Sequence, residues 1–449
     1  MPGKRVMVVI GGVAAGMSAA ARARRRDPDL EIVVYERSGY VSYGACGFPY
    51  FVKGMVGAMD DLIARSPERF ARDRIEVHLR HEVRAIDTGA RTIEVCELAS
   101  GRVMTREYDD LVIATGAGAR TRGLPGASLP GVFTLRTPED ALGLRRWLEE
   151  ERPEAAIIVG GGYVGLEMAE GLAPHVRRLA LLHSGGEVME GVFDEELAAL
   201  LHEEVERQGV ELRVGAEVSG LGGDGRVQWV EGGGERVPAG LVVLAAGITP
   251  SADLARAAGV PLGRTGAIAV DDRQRTRVER VWAAGDAAEA RHVVTGEQVW
   301  IPLGTTANKQ GRVAGDNVAG GDSRFQGIAG TAVLKVFDLE AARTGLTLAQ
   351  ARAAGLDAGE ATIRARTRAA YYPGARPITV RLVHERSGRR LLGGQIVGGE
   401  GAAKRIDVVA AALHAGWSAS DLAAVDMSYA PPFAPVWDPL LIAANAAAR

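Results

Sequence analysis

Val6-Met7-Val8-Val9-Ile10-Gly11-Gly12-Val13-Ala14-Ala15-Gly16 is the stretch on which the fold turns. Its apolar run does not alternate, which marks a parallel strand buried on both faces. The glycines that follow predict a tight turn, and an alanine-rich helix then runs to about Arg26. Leu30 to Tyr35 reads as the next strand, ending on Glu36. That acid lies 36 − 11 = 25 residues after the first glycine. Strand–turn–helix–strand units place a ribose-binding carboxylate near this spacing. Backbone N–H groups of such a turn, with the helix N-terminus, meet a pyrophosphate. Gly11, Gly12, Val13, Ala14, Ala15, Gly16 and Glu36 are therefore candidate nucleotide contacts. Val13 stands where a middle glycine is usual, and its side chain restricts how closely a pyrophosphate approaches.

The same grammar recurs. Ala156 to Val159 is a second apolar run, followed by the full G-x-G-x-x-G spacing at Gly160, Gly162 and Gly165. A helix to about Leu172 and a strand from Leu179 to Leu182 complete the unit. One glycine fingerprint is weak, but the whole order found twice is specific, and two units imply two dinucleotides. The position expected to hold the acid, 183 − 160 = 23 residues on, is His183. Without an acid, the repulsion that excludes a 2′-phosphate is missing. Yet Ser184-Gly185-Gly186 carries no arginine to hold one, and Arg177 and Arg178 precede the strand. NADH and NADPH both remain open. Further strands end at Thr115-Gly116, at Gly247 and at Gly285-Asp286. Beyond about Gly330 no glycine fingerprint occurs, and the remainder reads as a separate α+β domain. The glycine-rich segment 220–234 reads as hairpin loops.

The chain has 449 residues, 47% apolar and 24% charged, with net charge −3. These values suit a globular protein of two or three domains. They offer no bulk attraction to nucleic acid or anionic membrane. No apolar run reaches the length of about eighteen residues that a membrane helix needs. No signal peptide is expected, nor a metal site. Two cysteines cannot build a disulfide framework, so a reducing cytoplasmic location is expected. The predicted class is α/β: two Rossmann-like dinucleotide-binding domains, residues 1–120 with 245–328 and residues 121–244, plus an α+β domain over 329–449.

Cys46 lies in Val41-Ser42-Tyr43-Gly44-Ala45-Cys46-Gly47-Phe48-Pro49-Tyr50, far from Cys96. A dithiol enzyme needs a second sulfur close by, so a disulfide at Cys46 forms with a substrate or small thiol. The neighbouring glycines would admit a large planar group, and a turn-to-helix position would lower the thiol pKa through the helix dipole. Cys96 alternates with apolar residues and reads as a half-buried strand residue. Arg22, Arg24, Arg25 and Arg26 on the first helix are either a solvated face or a phosphate clamp. Tyr371, Tyr372 and Tyr429 are candidate proton donors or packing residues.

Ser42 to Tyr50 resembles the active-site segment of coenzyme A-disulfide reductases. These form the single-cysteine branch of the pyridine nucleotide-disulfide oxidoreductases, relatives of glutathione reductase. Tyr371-Tyr372-Pro373-Gly374, Glu400 to Asp407 and Tyr429-Ala430-Pro431-Pro432-Phe433 resemble that branch's dimerisation domain. The resemblance implies FAD on Gly11 to Gly16 and Glu36, with Thr115, Gly116 and Asp286 also in contact. It implies NAD(P)H on Gly160 to Gly165, with Glu167 near the nicotinamide. Gly247 and His183 join the cofactor-binding candidates. It implies a mixed disulfide between Cys46 and coenzyme A, with Ser18, Arg22, Arg25, Ser42 and Arg74 binding the coenzyme. Tyr371 and Tyr429 match tyrosines that a second subunit lends, so the site would be complete only in a homodimer.

Three positions depart from the branch: Ala45 replaces an asparagine, Asn308 a histidine, and Trp437 falls about where some members carry a lysine. All concern coenzyme A contacts, and Asn308 joins the substrate-binding candidates. The related NADH oxidases and peroxidases carry a histidine in the first turn, where this chain has Ala14. Without it a sulfenate lacks a proton partner. No rhodanese domain is expected after Arg449. The expected reaction is NAD(P)H-dependent reduction of coenzyme A disulfide to two thiols. A polysulfide or persulfide reductase and an NAD(P)H oxidase are the alternatives within the branch. An electron-transfer reductase that passes electrons to a second protein would have no use for Cys46.

Overall fold

The structure is a computed structural model that describes residues 4–121 and 123–449. The apolar run Val6–Ile10 is the central strand of a five-stranded parallel sheet. Glu31–Glu36 and then Glu76–Leu79 lie on one side, and Asp110–Ile113 and then Val281–Ala283 on the other. Val8 and Val9 are fully buried, as a strand covered on both faces requires. The strand order reverses direction beside Val6–Ile10, so a crevice opens at the carboxyl ends of that strand and Asp110–Ile113. Gly11 and Gly116 stand at that crevice.

The second unit repeats the plan. Ala155–Val159 is flanked by Arg178–Leu182 and Glu211–Arg213 on one side, and by Leu241–Leu244 and Val132–Phe133 on the other, all parallel. Segment 220–234 forms more than loops: Val218–Gly222, Trp229–Gly232 and Glu235–Pro238 pair as an antiparallel meander. Cys96 is buried rather than half-buried. Its neighbour Val95 is buried too, so both faces of the strand Thr92–Glu97 are covered there.

The helix Ala14–Arg26 packs against Gly304–Val318, nearly three hundred residues away. A Cβ on Gly311 would fall 2.1 Å from Ala15 O, and one on Gly315 2.1 Å from Ala19 O. Glycines four apart thus let the two backbones touch. The C-terminal part holds a five-stranded antiparallel sheet: Ala332–Val336, Leu339–Gly345, Leu391–Gly398, Pro377–Glu385 and Ala358–Arg366, in that spatial order. The helices Ile406–Ala415, Ala419–Ala423 and Pro439–Ala448 share an apolar core with it. Among the described residues no helix is long and apolar enough to cross a membrane.

Candidate active site

The first glycine turn is fixed by backbone contacts. Gly11 has φ +102°, and a Cβ there would lie 2.2 Å from Ala114 O. A Cβ on Gly16 would lie 1.9 Å from Gly11 O. Gly12 N–H donates to the buried Glu36 carboxylate at 2.7 Å, which also accepts from Ser38 N–H at 2.8 Å. Burial pushes the Glu36 pKa up, while those two backbone donors pull it down. Val13 is the N-cap of Ala14–Arg26 and makes no side-chain cap.

The second turn copies this skeleton. A Cβ on Gly160 would meet Ala245 O at 2.3 Å, and one on Gly165 would meet Gly160 O at 1.9 Å. His183 occupies the place of Glu36: Gly161 N–H donates to its Nδ1 at 3.3 Å. Gly162, the middle glycine, has open space where a side chain would stand, as do Gly116 and Gly247. Neither helix start carries an acid in its first turn or a side-chain cap. Both therefore present peptide N–H groups suited to a diphosphate. The residues present fit two dinucleotides. Thr115 anchors its turn by donating from Oγ1 to Ser251 O at 2.6 Å.

Cys46 is exposed, in a 3₁₀ turn, Ala45–Gly47, that leads into the short helix Phe48–Lys53. Ser42, at φ 53°, ties this segment to the first glycine turn by donating its N–H to Gly12 O at 2.8 Å. Gly47 abuts Leu62, whose Cδ2 would lie 2.3 Å from a Cβ built there. The thiol pKa is raised, not lowered. Burial by surrounding groups pushes it up, then the carboxylates of Glu167 and Asp286, against a weaker pull from Arg136. A six-residue helix has too small a dipole to outweigh desolvation and two carboxylates.

Glu167 and Glu170 share the helix Tyr163–Leu172 and have opposite fates. Glu170 accepts from Lys53 Nζ and Lys335 Nζ, each at 2.8 Å, and is held below the ordinary carboxylate range. Glu167 is pushed up to about 7 by burial and by the charge of Glu170. Asp286 is raised by burial and faces Arg136 at 3.4 Å. Sequence reasoning missed Arg136, which stands next to the helix cap Thr137 and shares no motif with Cys46. It also missed Tyr50, whose pKa is raised by burial and then by Glu167. Its spacing of four residues from Cys46 was a legible signal.

The proposed coenzyme contacts divide. Ser18 Oγ donates to Asn308 Oδ1 at 2.7 Å, across the touching helices. Arg22 is paired with the buried carboxylate of Asp316 at 2.8 Å. Arg25 is pushed down by burial and by Arg22, Arg312 and Arg65, so these four arginines form one basic cluster. Arg74 meets Arg24: its carbonyl accepts from Arg24 Nη2 at 2.7 Å, and both line a cleft of about 380 Å³ with Lys4 and Glu31. On the C-terminal part, the Tyr371 and Tyr429 hydroxyls lie 3.4 Å apart. Both are exposed, with Tyr372, Phe433, Val436 and Trp437 exposed beside them in sequence. These exposed apolar side chains are candidates for an interaction face.

Residues 5–311 match the pyridine nucleotide-disulphide oxidoreductase family, and residues 331–439 match its dimerisation domain. The NAD(P)H coenzyme A polysulfide/persulfide reductase of Pyrococcus horikoshii is 43% identical, over 98% of each chain. The coenzyme A disulfide reductase of Staphylococcus aureus is 28% identical, over 95% of this chain and 96% of that one. The crystal structure of reduced CoADR-RHD from Bacillus anthracis superposes with TM-score 0.96 at 34% identity, over 99% of this chain and 80% of that one. The paired glycine turns, the lone exposed thiol and these matches lead to one conclusion: the chain belongs to the pyridine nucleotide-disulphide oxidoreductases, FAD-dependent enzymes that use NAD(P)H.

Proposed function

We propose that this enzyme reduces coenzyme A disulfide to two coenzyme A thiols through a mixed disulfide on Cys46. One observation carries the reading. Cys46 is exposed, it feels a carboxylate from each nucleotide unit, and the only other cysteine is buried. Bound FAD would supply the chemistry that a single thiol lacks, accepting a hydride from NAD(P)H and delivering an electron pair to sulfur. Cys46 Sγ, as thiolate, attacks one sulfur of the coenzyme A disulfide. The S–S bond breaks, one coenzyme A leaves as thiolate, and the other remains bonded to Cys46. Two electrons and a proton then free the second thiol and restore the Cys46 thiolate. Arg25, with Arg65 and Arg312 beside it, would hold the coenzyme phosphates, and Arg22, tied through Nε and Nη2 to Asp316, would border them. Ser18 and Asn308 line the same helix pair. Tyr371 and Tyr429, lent by a second copy of the chain, would stabilise the departing thiolate, which makes the homodimer the active unit.

Polysulfide or persulfide is the second reading. The relative named for those substrates is 43% identical, against 28% for the one named for coenzyme A disulfide. Either substrate needs Cys46. Replacing it by serine (Cys46→Ser) is expected to leave flavin bound and abolish turnover of both. Full turnover in that variant overturns the mechanism. Comparing coenzyme A disulfide, polysulfide and oxygen as acceptors for the unaltered enzyme assigns the substrate.

A further inference from the structure

Two side chains converge on Gly185, in the loop that follows the second nucleotide strand. A Cβ built on Gly185 would fall 1.8 Å from Glu190 Oε2 and 2.8 Å from His183 Nε2. The loop folds back over the glycine turn, where Met189 N–H donates to Gly161 O at 2.8 Å. Its far side is gripped from the C-terminal sheet: Gln350 Nε2 donates to Gly191 O at 2.9 Å and Arg343 Nη1 to Val192 O at 3.0 Å. Glu190 is thus anchored through both chain neighbours, with its carboxylate over the strand end where a ribose is read. His183 accepts at Nδ1, which leaves Nε2, on the Gly185 side, to carry the ring proton.

We propose that Glu190 supplies the negative charge missing from the end of this strand, and that the second unit thereby selects NADH over its 2′-phosphorylated counterpart. Two neighbouring cations are unsuited to reverse that preference. Arg178 pairs with Ala155, at the opposite end of the strand from Leu182, roughly 13 Å away at an ordinary strand rise. Arg213, whose carbonyl accepts from His183 N–H, commits its guanidinium to Glu211 at 2.7 Å and Glu235 at 3.2 Å. The proposal rests on the nucleotide assignment of the second unit and not on the sulfur substrate.

Calorimetry on the FAD-loaded protein tests it, with ADP-ribose and 2′-phospho-ADP-ribose as probes that transfer no hydride. ADP-ribose is expected to bind about tenfold or more tightly, as like charges in a recognition site disfavour the phosphorylated probe. Glu190→Gln is expected to close that gap to about threefold or less, chiefly by tightening the phosphorylated probe, since the amide keeps its hydrogen bonds and loses the charge. Added salt is expected to narrow the gap in the unaltered protein. Equal or tighter binding of the phosphorylated probe overturns the proposal, as does a gap that Glu190→Gln leaves unchanged. Failure of both probes to bind overturns it together with the nucleotide assignment. Loss of disulfide turnover with the binding pattern intact would count only against the sulfur chemistry.

Discussion

In the first nucleotide unit, side chains on Gly11 and Gly16 would strike Ala114 O and Gly11 O at 2.2 and 1.9 Å; in the second, Gly160 and Gly165 would strike Ala245 O and Gly160 O at 2.3 and 1.9 Å. These four glycines are dictated by the chain's contact with itself. The units part company where the backbone makes no demand. The middle position is Val13 in one and Gly162 in the other, and the acceptor for the turn N–H is the Glu36 carboxylate in one and the His183 ring in the other. Glycine spacing therefore reports the fold, and the residues between and after it report the ligand.

Three experiments break or sharpen that parallel. The largest effects are expected from Gly16→Ala and Gly165→Ala, because a carbonyl oxygen cannot yield to the new methyl group. Each overpacks its turn at a cost of roughly 2–4 kcal/mol. Gly16→Ala should lose flavin on purification. Gly165→Ala should keep its flavin absorbance and lose NADH affinity. Loss of flavin in both would break the separation of the two units. A smaller contrast lies in the acceptors. Glu36→Ala strands the Gly12 N–H and should cost about 1–3 kcal/mol. His183→Ala removes a longer bond and should cost about 1 kcal/mol or less. Thermal midpoints of the purified proteins measure both, and Glu36→Gln, which keeps an acceptor, should recover part of the loss. The smallest effect is at the thiol between the units. Its pKa is raised, so its alkylation by iodoacetamide should keep climbing at pH values where a free cysteine has levelled off. Glu167→Gln should move that curve to lower pH, and Asp286→Asn should do so by less, following the order of their contributions. At fixed mildly alkaline pH the gain should be about two- to fivefold. A curve unmoved by either variant removes the carboxylates as its cause.

The strand–turn–helix units were legible because only glycine fits Gly11, Gly16, Gly160 and Gly165, and because their buried strands are uninterrupted apolar runs. The candidate cysteine stood out by its isolation, and the structure leaves it exposed. Its electrostatics were not legible, since its pKa is raised by burial and after that by the carboxylates of Glu167 and Asp286, which lie more than a hundred residues away in the chain. The arginines of the first helix show the same limit. Arg22 and Arg24 look equivalent in a run of basic residues, yet Arg22 meets Asp316 and Arg24 meets the carbonyl of Arg74. Two residues along a helix point to different sides, and their partners arrive through tertiary packing. Arg136, with no motif of its own, could not be placed near Cys46 before the chain was folded.

Arg343, Gln350 and Gln395 reach out of the antiparallel sheet to the loop around Gly191, Val192 and Asp194. The C-terminal sheet therefore also steadies the loop that carries Glu190 beside the second nucleotide strand. Grafting that sheet from a cousin enzyme would exchange more than the twofold contact. Such a chimaera would inherit a different support for the loop, and its preference between reduced dinucleotides would drift with its choice of mate.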